Sequence, residues 1–115
     1  MSENIFVWPI ELPEGTTGKA LEKYWVKEFM PKGVKIPGME NKLYKGYMGK
    51  RDDQYYFITY FASSARQREL FPIPNDPTGN EEVQQFFADP VNAGFYAMLN
   101  FEQLMASYSN YAEIK

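Results

Sequence analysis

Apolar positions alternate along 4-NIFVWPIEL-12, with Ile5 and Val7 on one face and Phe6, Trp8 and Ile10 on the other. A period of two is the signature of a strand. Pro9 has no N–H to give to a ladder, so the later half of this strand is expected to be irregular or to lie beside a gap in the sheet. The period then changes. Over 17–30, at about 100° per residue, Leu21, Tyr24, Trp25 and Phe29 share one arc while Lys19, Lys23 and Lys27 lie opposite. This is an amphipathic helix, capped by Thr16 or Thr17. Pro31 should end it near Met30, because the residue before a proline avoids helical angles.

Alternation returns in 41-NKLYKGYMG-49, a weaker strand whose Lys42 and Lys45 suit an edge. The turn 49-GKRDD-53 leads into 54-QYYFITYFA-62, which is apolar on both faces. Tyr55, Phe57, Thr59 and Phe61 line one face; Tyr56, Ile58, Tyr60 and Ala62 line the other. Ser63 or Ser64 then opens a short helical turn through Arg68. The segment 71-FPIPNDPTG-79, with three prolines, is a loop. Thr78 with Glu81 forms a capping-box pattern for a helix from about 79 to 88. Asp89 followed by Pro90 is a second helix start, predicting a bent or two-part helix over 80–88 and 90–105. The stretch 106-ASYSNYAEI-114 reads as a last strand exposed on one face.

The order is β-α-β-β-α-β. In a ferredoxin-like α+β domain spanning 1–115 it gives one antiparallel sheet, order 4-1-3-2, with both helices on one face. The first and third strands are then central, and they are the two with apolar residues on both faces. The helices cover one face. A second copy of the chain, packed sheet to sheet, is expected to cover the other, because an exposed apolar patch of that size marks an interface.

Composition narrows the function classes. Aromatic residues make up 17% of the chain, with nine Tyr, nine Phe and two Trp. An aromatic core follows, together with an aromatic pocket or interface. Net charge is −3, so nucleic acid and anionic membranes are not the expected partners. There is no cysteine and no histidine. Thiolate metal sites, Ser-His pairs and zinc chemistry are therefore not expected, and neither a metal nor a cofactor is called for. The longest apolar run is far too short to span a bilayer. The N-terminus lacks the basic start and apolar middle of a signal peptide, which points to a cytoplasmic protein.

The run 21-LEKYWVKEFMPKGVKIPGM-39 resembles the first helix and following turn of the dimeric α+β barrel superfamily. That pattern is an amphipathic helix with an aromatic pair, an acidic residue, a Pro, then Leu/Ile-Pro-Gly before the second strand. The segment 86-FFADPVNAG-94 is similar to the second-helix region of that superfamily, and Tyr111 fits the end of its last strand. The closest pattern is that of its EthD-like and antibiotic-biosynthesis-monooxygenase-like branch. The resemblance implies a homodimer forming a shared barrel, with a ligand pocket between sheet and helices in each subunit. The activities it implies include cofactor-free oxygenation, isomerisation and haem chemistry. Where the EthD-like pattern has a histidine after the acidic residue, this chain has Phe29, so the role of that histidine does not carry over.

Glu28 is the candidate acid or base. On the helical wheel it projects between Tyr24 and Leu21, and a carboxylate in the last turn opposes the helix dipole. Its plainer reading is a solvated carboxylate paired with a nearby Lys or Arg. Tyr24 and Trp25, with Trp8, Tyr56 and Tyr60, are candidates to line a pocket, against simple core packing. Arg66 and Arg68 are candidates to grip a ligand carboxylate or phosphate, against pairing with Glu69. Two functions stand side by side. One is cofactor-free oxygenase-like or isomerase-like chemistry on a small aromatic or polyketide-like compound; the other is a non-enzymatic ligand-binding or interaction module.

Overall fold

The computed structural model describes residues 4–51 and 54–114. Four strands, β1 (Asn4–Ile10), β2 (Met39–Lys45), β3 (Tyr55–Phe61) and β4 (Ser109–Ala112), form one sheet in the order β2-β3-β1-β4. All neighbours are antiparallel. This is the ferredoxin-like order that the patterning predicts.

The period-two pattern decides which face is buried. Phe6, Trp8 and Ile10 of β1, and Tyr55, Phe57, Thr59 and Phe61 of β3, are buried. Their alternates Ile5, Val7, Tyr56, Ile58 and Tyr60 are half-buried. The helices pack on the first face, where Trp25, Phe95 and Tyr96 each set a ring 5.5–6.0 Å from Phe57, and Phe95 lies 5.3 Å from Trp25 and 5.4 Å from Tyr96. Several of these are edge-to-face pairs, each adding about 0.5–1.5 kcal/mol beyond burial.

Pro9 acts as expected. The β1–β4 ladder ends at Val7 opposite Ser109. Beyond it, Gln103 takes the place of a strand: its Nε2 donates to the Pro9 carbonyl at 3.0 Å, and its Oε1 accepts from the Glu11 N–H at 3.2 Å.

The first helix runs further than the proline rule suggests. It starts at α1 (Gly18–Tyr24), capped by Thr17, whose side chain accepts from the Ala20 N–H. It widens into a π turn over Trp25–Phe29 and ends in α2 (Met30–Lys32). The Met30 N–H reaches back five residues to the Trp25 carbonyl. In an unbroken α-helix the Pro31 ring would press on the carbonyl four residues earlier. The wider turn relieves that contact and lets the chain continue to Lys32. It also lines up Leu21, Trp25 and Phe29 at four-residue spacing, all buried, with Trp25 and Phe29 stacked at 4.6 Å.

Three further boundaries differ from expectation. α3 (Ser64–Leu70) is capped by Ser63 as predicted, but α4 (Glu81–Ala88) is capped by Asn80, not Thr78. Thr78 instead donates its N–H and hydroxyl to Asp76 within the proline-rich loop. The last helix breaks twice, into α5 (Pro90–Ala97) and α6 (Phe101–Ser107). Asp89 caps α5 as expected; Asn100 caps α6 by accepting from the Gln103 N–H. The helix therefore extends to Ser107, and β4 is confined to four residues.

Asn92 ties the two helical segments together from the inside. It is fully buried, and its amide donates to the Val34 and Phe86 carbonyls at 3.0 and 3.1 Å. Its Oδ1 lies against Gly33, where any Cβ would collide with it. Asn92→Ala should lower stability by about 1–3 kcal/mol, the cost of stranding a buried carbonyl, read from the urea midpoint at unchanged m-value.

Candidate functional site

Thr59 breaks the aromatic row of the inner sheet face. It is 3% exposed, so its hydroxyl needs partners inside the protein. The register supplies them. Thr59 sits opposite Asn41 of β2 and one diagonal from Trp8 of β1. The Trp8 indole N–H donates to Thr59 Oγ1 at 3.1 Å, and the Thr59 hydroxyl donates to Asn41 Oδ1 at 2.8 Å. These three residues lie in one line across three strands.

Two spaces meet at this line. An internal gap of ≈ 20 Å³ lies between it and the helices, bounded by Phe57, Phe86, Tyr96 and Met105 among others. That is room for about one water. An open groove of ≈ 360 Å³ runs between the 34–37 loop and β2, lined by Phe29, Met30, Val34 and Glu40. Met39, Asn41 and Phe86 border both spaces. The Asn41 amide nitrogen has no hydrogen-bond partner among the described residues.

Charge is scarce here. Among the described residues no charged side chain borders the gap. At the groove, Lys35 donates to the Met30 and Gly33 carbonyls, and Glu40 lies 3.8 Å from Lys42. Burial pushes the pKa of the Tyr96 phenol, at the gap, well above its usual value, so it stays protonated. Among the described residues no cluster of three or more metal-ligating side chains occurs, and no helix is long and apolar enough to cross a membrane.

The predicted site residues separate into four places. Trp8 borders the gap. Tyr24 and Trp25 do not: the Tyr24 hydroxyl donates to the Val91 carbonyl at 2.7 Å, and Trp25 is packed on Phe29 and Phe57. Trp25 borders a different, open groove of ≈ 200 Å³ between the first helix and the sheet, with Glu22, Val26, Leu43 and Tyr55 among its other walls. Tyr56 and Tyr60 lie on the outer face of the sheet, because they alternate with the buried Tyr55, Phe57, Thr59 and Phe61. They cannot line the same space as Trp8.

Glu28 lies outside the apolar arc. With the buried line running through Leu21, Trp25 and Phe29, its side chain is 39% exposed and pairs with Lys32 at 3.0 Å. Arg66 is a structural clamp. Its Nε donates to the Pro37 carbonyl at 2.9 Å, and its two terminal nitrogens reach Glu82 at 3.1 and 2.9 Å. Arg68 is exposed. Of the polar residues that border the gap, Thr59 shows only as the non-aromatic member of an aromatic row, and Asn41 shows nothing until the register sets it opposite Thr59.

On the outer face, the Tyr44 and Tyr60 hydroxyls are hydrogen-bonded at 2.6 Å. The pKa of Tyr60 is pushed up to about 12, mainly by this bond and then by burial and the Tyr44 and Glu40 charges.

No protein-family model matches the chain, and no curated protein matches it. Among solved structures it is similar to a protein provisionally described as an antibiotic biosynthesis monooxygenase from Chloroflexus aurantiacus J-10-fl. The two are 14% identical over 97% of this chain and 93% of the other, with a TM-score of 0.46. At that distance no residue role transfers from one to the other.

Two outcomes are expected. Thr59→Val strands the Trp8 N–H, so stability should fall by about 1–3 kcal/mol in urea unfolding, and Thr59→Ser should recover most of it. The Tyr60 shift favours the neutral phenol in the folded state. Its stabilisation is full below the unfolded pKa near 10 and is lost as pH rises through about 12. In an absorbance titration of tyrosinate, Tyr44→Phe should move one ionisation to lower pH.

Proposed function

We propose that the protein is a small-molecule-binding protein whose ligand lies in the groove beside β2, with its inner end against Asn41. The observation that carries this reading is the unpartnered Asn41 amide at the junction of groove and gap. The groove is of the volume that small ligands occupy. Met39, half-buried on the shared wall, is a flexible side chain, and its rotation joins the two spaces. The walls are apolar and aromatic, with few polar groups, as small-molecule sites usually are.

Ligand binding fits this geometry better than catalysis. Cofactor-free oxygenation or isomerisation begins by removing a proton from the substrate, and that requires a base. Tyr96 stays protonated, and Glu40 at the groove is 69% exposed and lies on the outer-face register beside Lys42, away from Asn41. Asn41 by itself offers a donor, which holds a developing oxyanion but removes no proton.

The same proposal includes a homodimer through the outer sheet face. Ile5, Val7 and Ile58 form its centre, and Tyr56 and Tyr60 flank them. The helices leave this face open. A second copy would bury it.

Met39→Trp should fill the groove and weaken binding of a small aromatic probe at least tenfold by calorimetry, with the fold intact by circular dichroism. Unchanged affinity would move the ligand elsewhere. Light scattering at micromolar concentration should give twice the 13.4 kDa chain mass, and Ile58→Lys should halve it. A wild-type monomer would remove the dimer from the proposal.

A further inference from the structure

The hydrogen-bond line has a fixed direction, and the direction limits the ligand. An indole N–H is a donor and never an acceptor. Thr59 Oγ1 therefore accepts from Trp8. The Thr59 hydroxyl has one proton left to place, and Asn41 Oδ1 at 2.8 Å is the acceptor the structure provides. Turning the Asn41 amide over would aim an NH2 at Thr59 and leave that buried proton without an acceptor, at a cost of about 1–3 kcal/mol. The amide setting is thus imposed from Trp8 outward: carbonyl towards Thr59, NH2 away from it.

From this, and resting on the ligand site proposed above, we infer that the protein selects ligands with an apolar, flat body and a hydrogen-bond-accepting oxygen at the anchored end. A ketone, quinone or lactone carbonyl meets that description. A ligand bringing only an N–H or O–H proton meets another donor at Asn41. Asn41 touches the ligand. Trp8 and Thr59 are positioning residues that hold its amide in the accepting-ligand orientation.

Three probes of nearly equal shape separate the possibilities: indanone, which only accepts; indane, which does neither; and indole, which only donates. Titration of wild-type protein by calorimetry, with side-chain amide signals followed by NMR, should rank indanone above indane by about tenfold, the worth of one good hydrogen bond, with indole weakest. Asn41→Leu should erase the ranking while indane still binds. Thr59→Ser should keep it and Thr59→Val should blunt it. Indole binding as tightly as indanone, or all three binding alike, would overturn the inference and leave the ligand site standing. Failure of all three to bind or to shift the Asn41 amide would overturn the site and the inference together.

Discussion

The pairing of β1 with β3 is the constraint on which the rest depends. Phe6 opposite Thr59 and Trp8 opposite Phe57 place seven alternating side chains on one face, and the helices have that surface to pack on. A slip of one residue would turn Phe57, Thr59 and Phe61 outward and bring Tyr56, Ile58 and Tyr60 inward. The core would lose Phe57 and Phe61, and the Trp8–Thr59 bond would vanish with them. Register, core and the polar line therefore stand or fall together.

Much of the fold was legible because it rests on period. The alternation in 4–10 and 55–61 fixed which side chains were buried, and the apolar surplus on both faces of those strands fixed which strands were central. The misplaced boundaries had local causes. A proline signal was overridden by a π turn that accommodates Pro31. Two asparagines, Asn80 and Asn100, took capping roles that the pattern search had given to Thr78 or had not sought.

The candidate site was legible only in part, for a physical reason. A helical wheel drawn at a constant angle cannot anticipate a widened turn, so Glu28 was set too close to the apolar arc. Tyr56 and Tyr60 were drawn toward a pocket by their chemistry, against the alternation that places them outside. Arg66 does pair with Glu69, the alternative its sequence neighbours offered, but its stronger partner Glu82 is sixteen residues away and only the packing of α3 on α4 brings the two together. Thr59 and Asn41 are ordinary residues one by one. Their significance comes from cross-strand neighbours, and that requires the register.

Gln103 stands in for a missing stretch of strand. Where Pro9 interrupts the ladder, α6 is held to β1 by two side-chain hydrogen bonds, and β4 adds only four paired residues. The strands β1 and β3 are joined by seven pairs. The rest of the C-terminal segment's hold on the sheet is packing: Leu104 is buried, and the Tyr108 ring lies 5.5 Å from Phe6 and 5.1 Å from Trp8. That segment carries Leu104 and Met105, which roof the internal gap. A four-residue edge strand and one glutamine thus hold a wall of the gap against the central ladder.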